Sequence, residues 1–240
     1  MNELLEGIRW IHITAGFIGL AAFWVPVFTH KGGKRHRLFG KIFKYSAYVV
    51  LIGAMLSVLL YTVIALSAGE GPRQSPGDFG FLMFLGYLAV VTFIVLRHGV
   101  SVLENKDLAS MNTSMNRLVA KLAILASAAL IAYTLYFNPP IKVILFALSP
   151  IGVLVGAGIL RAIGGKRPER KAWFYEHMGA MLVTGVAFHT AFAVFGFGRL
   201  FNLGLTGFVA VVPWILPTLI GVPALVISTR HYQRKFGDAA

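Results

Sequence analysis

The chain has 240 residues, of which 57% are apolar and 13% charged, with a formal net charge of +13 and no cysteine. Soluble domains carry roughly 25% charged residues, so this composition excludes an ordinary water-soluble globule. The lack of cysteine excludes disulfides, thiolate redox chemistry and thiolate-held zinc or iron–sulfur clusters, leaving His, Glu, Asp and Met as the ligands open to a metal.

Runs of about 20 apolar residues are what a ~30 Å hydrocarbon slab requires of a helix. Seven occur, at 8–28, 45–67, 80–100, 118–137, 141–160, 173–195 and 207–228. A bilayer offers the backbone no hydrogen-bond partner, so runs of this kind must close their own bonds as helices. The expected fold is all-α, a polytopic membrane protein whose seven transmembrane helices form a single bundle over residues 1–240. The first run follows acidic Glu3 and Glu6 and lacks a small-residue cleavage site, which reads as a retained helix and not a signal peptide.

The distribution of charge supplies orientation. Lys31, Lys34, Arg35, Arg37, Lys41 and Lys44 follow span one; Arg97, Lys106, Arg117 and Lys121 flank the loop between spans three and four. Arg161, Lys166, Arg167, Arg170 and Lys171 follow span five, and Arg230, Arg234 and Lys235 follow span seven. Only Arg9, Arg73, Lys142 and Arg199 of the 22 basic residues fall on the other side. This positive-inside pattern predicts an N-terminus outside and a C-terminus in the cytoplasm. The bilayer itself and anionic lipid headgroups on the cytoplasmic side are the expected partners. Nucleic acid is not, since no basic residues interleave with aromatics on a separate soluble domain.

Span one places His12 a few residues inside its outer boundary, with Gly16 one turn on. The basic turn HKGGKRHR after it sets His30 and His36 at the inner surface. Span two is apolar, and Ser57 and Thr62 are expected to bond back to their own helix. Span three ends in VLRHGV, with His98 at the inner interface. The polar loop VSVLENKDLASMNTSMN is expected to lie as a short surface helix, and its Asn112-Thr113-Ser114 sequon, on the cytoplasmic side, reads as chance. Asn138-Pro139-Pro140 makes a tight turn that packs span five beside span four. Gly152 and Gly156 have the small-xxx-small spacing of close helix contacts. Span seven carries Pro213, Pro217, Gly221 and Pro223, and each proline removes a backbone donor. Gly32-Gly33-Lys34-Arg35 recurs as Gly164-Gly165-Lys166-Arg167, which suggests a 3+1+3 repeat of the helices.

Span six, WFYEHMGAMLVTGVAFHTAFAVF, carries two histidines in an apolar run, where polar groups are costly. Twelve helical steps put His177 and His189 roughly 18 Å apart along the axis and about 120° apart around it. With the orientation above, His12 and His189 share an outer level, and His30, His36, His98 and His177 share an inner one, with Glu176 beside them. Two layers of imidazole suit two cofactors, most economically heme b with iron held by histidines. Gly16, Gly40 and Gly185, each one turn from a histidine, would leave room for a flat macrocycle. His12, His36, His98, His177 and His189 are therefore the candidate cofactor ligands. His98, His177 and Glu176, with Glu104 near, are the candidate metal ligands at the inner level.

The segments HRLFGKIF (36–43), WFYEHMGAMLVTGVAFHTAF (173–192) and WILPTLIGVP (214–223) resemble bacterial multi-pass membrane proteins of unknown function. That resemblance implies fold and a place in the bacterial cytoplasmic (inner) membrane. The chain is also similar to diheme b-type transmembrane cytochromes related to the ascorbate-reducible kind. Their pattern is an outer histidine, a basic turn and a further histidine opening the next helix, which His12 and His36 match. His98 lies at the inner end of its span, so His189 would stand as partner to His12. The resemblance implies transmembrane electron transfer with a redox partner. The alternatives open at this point are a small-solute transporter or channel with a cavity near a kinked span seven, lined by His189, Trp214 and Thr218, and a membrane metal-hydrolase using the inner His/Glu group.

Overall fold

The structure is a computed structural model that describes residues 2–165, 169–197, 200–201, 209 and 211–238. Lys166, Arg167 and Arg199 of the basic set, half of the repeated tetrapeptide, and residues 207, 208 and 210 at the start of span seven lie outside the described residues. The described elements are all helical: α1 (Asn2–Phe28), α2 (Lys34–Ser67), α3 (Pro76–Glu104), α4 (Ser114–Phe137), α5 (Lys142–Leu148), α6 (Pro150–Gly164), α7 (Ala172–Ala191), a π-helical turn (Phe192–Phe197) and α8 (Val212–Phe236). Counting α5 with α6 and α7 with its π turn, seven helical stretches among the described residues are long and apolar enough to cross a membrane. This is the build of a multi-pass membrane protein. The chain divides into two compact units, Met1–Ile94 with Asn112–Gly164, and Val95–Met111 with Gly165–Ala240.

In the first unit α1 and α2 form a hairpin. Its turn depends on Gly32, which holds a φ of +78° that side chains rarely adopt, and Gly33 N–H donates to the His30 carbonyl at 3.0 Å. The last carbonyls of α1 have no helical donors of their own. Thr29 Oγ1 donates to Val25 O, and the Lys31 ammonium donates to Pro26 O and Val27 O, each at 2.8 Å. Burial at this helix end holds Lys31 below the usual lysine range. Phe43, Ser46, Ala47, Val50 and Leu51, at helical spacing, form the buried face of α2. Phe43 meets Phe23 of α1 with ring centroids 5.3 Å apart. With 34 residues, α2 is roughly 50 Å long. It therefore starts eleven residues before the expected span, taking up the basic segment Lys34–Lys44 as a helical extension beyond what the hydrocarbon slab needs.

The second hairpin of this unit joins α4 to α5 and α6. Thr113 Oγ1 caps α4 by accepting from Asn116 N–H at 3.2 Å, and Asn138, in the left-handed region at φ 44°, ends it before the two prolines. Gly152 and Gly156 face α4: an added Cβ would meet Ser127 Oγ and Ala123 O at the first, and Ala120 O and Ile124 at the second. The close helix approach expected from their spacing is therefore present. Span five itself is broken at Ser149–Pro150, a feature not anticipated above. Pro150 has no N–H for the Phe146 carbonyl, and Ser149 Oγ donates there instead at 3.1 Å.

In the second unit α7 and α8 run antiparallel. Phe174 packs on Tyr232 and Phe236 near one end, Gly221 accommodates Val186 midway, and Phe195 meets Trp214 edge-on at 5.7 Å toward the other. Pro217 and Pro223 lie inside α8, which continues through both. Asp238, just past the end of α8, serves the start of α7. Its Oδ1 accepts from Arg170 N–H at 3.2 Å, and its Oδ2 from Lys171 N–H at 3.2 Å and Tyr175 OH at 3.0 Å. A carboxylate there satisfies helix-start donors and complements the helix dipole.

The loop 105–113 is not a surface helix. Asn105 Oδ1 accepts from Asp107 N–H at 3.3 Å and Asp107 Oδ1 from Ala109 N–H at 3.1 Å. These side chains give the backbone turns in place of a helical ladder. Asn112 of the sequon accepts from Arg117 at 3.2 Å.

Candidate functional site

Five histidines named from the sequence are tied to specific polar partners. His12, on α1, faces α2, where its Nδ1 lies 3.0 Å from the Val50 carbonyl and its ring borders Gly53. His36, in the first turns of α2, places Nδ1 3.3 Å from the Pro26 carbonyl. His177 places Nδ1 2.7 Å from Gly99 O, and His189 places Nδ1 2.7 Å from Gly185 O one turn back on its own helix. A carbonyl oxygen only accepts, so in all four rings Nδ1 carries the hydrogen. In the neutral imidazole the lone pair then belongs to Nε2. Metal-bound histidines are commonly oriented in this way, with the second nitrogen donating to a backbone carbonyl or carboxylate.

His98 is held differently. It is 7% exposed, and its Nε2 lies 3.2 Å from Glu176 Oε2. The neighbouring pair, Gly99 with His177, makes the adjacent bond, so residues 98 and 99 and residues 176 and 177 are joined in register. Gly99 permits this: an added Cβ would stand 2.5 Å from that of Ala180. Glu176, read from the sequence as a candidate metal ligand, is here the polar partner that a buried imidazole requires.

The inner trio His98, His177 and Glu176 is brought together within the second unit, but as two separate pairs. Among the described residues no group of three or more His, Asp or Glu side chains is placed to hold a metal ion. In the first unit His12 and His36 stand at different depths, since His12 bonds Val50 while His36 bonds Pro26, fourteen residues beyond His12 and so roughly 21 Å along α1. In the second unit His177 and His189 are separated along α7 by the 18 Å read from their spacing. Each unit therefore carries imidazoles at two levels.

Two glycines expected to leave room for a macrocycle do something else. The side of Gly16 that would carry a Cβ faces Val50 Cγ2 at 3.9 Å, and that of Gly40 faces Pro26 Cγ at 4.0 Å. Both serve the contact between α1 and α2.

A polar cluster with no forerunner in the sequence reading surrounds Tyr87, Ser127 and Ser149, all buried in the first unit. Its partners are backbone atoms 61 to 65 residues away. The local signal that could have found it is Pro150 inside an apolar run, which marks a helix break whose freed groups need a donor and an acceptor.

These features define a class: an all-helical multi-pass membrane protein with four helix-borne histidines held in one tautomer by backbone carbonyls. Comparison with protein-family models, with curated proteins and with solved structures returned no match.

Proposed function

We propose that this chain binds heme b through histidines on its helices and carries electrons across or along a bacterial cytoplasmic membrane, its N-terminus outside. The observation that carries the reading is the shared orientation of His12, His36, His177 and His189, each with Nδ1–H on a carbonyl and the lone pair assigned to Nε2. The donor set fits this group better than a bare ion. A heme would ask the protein for only one or two imidazoles, whereas a protein-only metal site asks for three or more side chains. When bound, heme supplies one-electron redox chemistry.

The chain's own contribution is to hold imidazoles at two levels. Val50 and Pro26 fix His12 and His36, while Gly185 and Gly99 fix His189 and His177. Glu176 serves His98. The glycines beside His12 and His36 are used by helix packing, so support comes from the imidazoles alone.

The test is an absorption spectrum of the protein extracted gently from cells supplied with a heme precursor, recorded oxidised and then reduced with dithionite. A Soret band that shifts on reduction, and that weakens in His12→Ala and His189→Ala but not in His231→Ala, is expected. A preparation with no Soret absorbance and no bound iron, zinc or copper overturns the reading.

A further inference from the structure

The cytoplasmic-type basic end of α8 carries a second site, independent of the histidines above. Ile227, Arg230, His231, Arg234 and Lys235 recur at i, i+3, i+4, i+7 and i+8, which is one helix face, and they border a shallow open groove of about 580 Å³. All five are exposed. The same face continues along the helix as apolar surface, with Ile220 a further two turns back and exposed. A face that changes from isoleucine to arginine within one turn matches the boundary between hydrocarbon and headgroups. Tyr232, an interfacial residue type, sits at that boundary beneath Lys235, whose Nζ is 5.8 Å from its ring centroid.

Among the described residues no ion pair joins Arg230, Arg234 or Lys235 to a carboxylate. The nearby carboxylate of Asp238 is engaged by two backbone amides and a phenol at the start of α7. We propose that this groove binds an anionic phospholipid, the phosphodiester on Arg230, Arg234 and Lys235 and an acyl chain along Ile227 and Ile220. A free anion would not use the apolar half of the face. A second copy of a chain with net charge +13 would bring like charge to a basic surface.

The experiment is native mass spectrometry of the full-length protein in detergent, offered phosphatidylglycerol or phosphatidylcholine at equal concentration. The wild type is expected to retain phosphatidylglycerol in preference. The triple variant R230Q/R234Q/K235Q is expected to lose roughly a hundredfold in that affinity, at about fivefold per basic residue, with unchanged thermal unfolding. The charge-preserving R230K/R234K keeps most of it. Equal retention of the two lipids by the wild type overturns the proposal, as does a folded triple variant that still prefers phosphatidylglycerol. Full displacement of the lipid by equimolar inorganic phosphate identifies a free-anion site, and a dimer abolished by the triple variant identifies a copy interface; either result also overturns it. Should the triple variant fail to fold, the wild-type lipid preference and R230K/R234K decide alone.

Discussion

Gly152 donates its backbone N–H to the phenolic oxygen of Tyr87 at 2.8 Å, and that hydroxyl donates in turn to the carbonyls of Leu148 and Ser149 at 3.0 and 2.9 Å. In an unbroken helix the Gly152 N–H would bond Leu148 O directly. The hydroxyl of α3 is spliced into this link, at the point where Pro150 has already removed one rung. In apolar surroundings a freed amide or carbonyl has no water to turn to, so the tyrosine satisfies on one atom what the break exposes.

Tyr87→Phe keeps the ring and removes that atom. Leaving a buried amide and carbonyls unmet costs about 1–3 kcal/mol, so unfolding in a detergent–denaturant titration shifts to lower denaturant by that amount. A variant as stable as wild type would mean that the break tolerates loss of the hydroxyl.

The two packing glycines predict a contrast within one helix. Gly152→Ala and Gly156→Ala drive a methyl against backbone carbonyls of α4, which cannot yield as a side-chain end can, and each is expected to destabilise by about 1–3 kcal/mol. Gly158, on the same helix, has nothing within 4 Å of an added Cβ. Gly158→Ala should be neutral or stabilising by up to about 1 kcal/mol through helix propensity. Thermal unfolding of the three variants side by side checks the ordering; similar losses at 156 and 158 would refute the assigned contact face.

His98 and Glu176 are coupled across 3.2 Å, at 7% and 21% side-chain exposure. Removing Glu176 strands a buried imidazole, so Glu176→Ala is expected to cost about 2–3 kcal/mol, while His98→Ala with Glu176→Ala costs less than the two changes added together. A double-mutant cycle measures the difference. A coupling below about 0.5 kcal/mol would show that the two groups act separately.

The helices themselves were legible because crossing a bilayer demands length and apolarity, both local properties of the chain. Span limits set from apolar runs erred where charged residues continue a helix past the slab, as Lys34–Lys44 do for α2 and Thr229–Phe236 for α8. The close approach at Gly152 and Gly156 was also legible, since it follows from spacing on one helix. Pro217 and Pro223 lie inside α8, which continues through both, while Pro150, not singled out from the sequence, breaks span five.

For the candidate site, residue type could be read and partnership could not. Histidines in apolar runs announce themselves, because polar groups there are expensive. For three of them the answering atom lies in a segment remote in sequence: Val50 for His12, Glu176 for His98 and Gly99 for His177, whereas His189 is answered by Gly185 on its own helix. Composition and periodicity thus determined that the chain is a set of membrane-length helices, since each helix closes its own backbone bonds. The pairing of polar groups between helices, and with it the tautomers of His12, His36 and His177, was decided only by tertiary structure, because hydrogen bonds of a few ångströms between separate helices depend on how those helices pack.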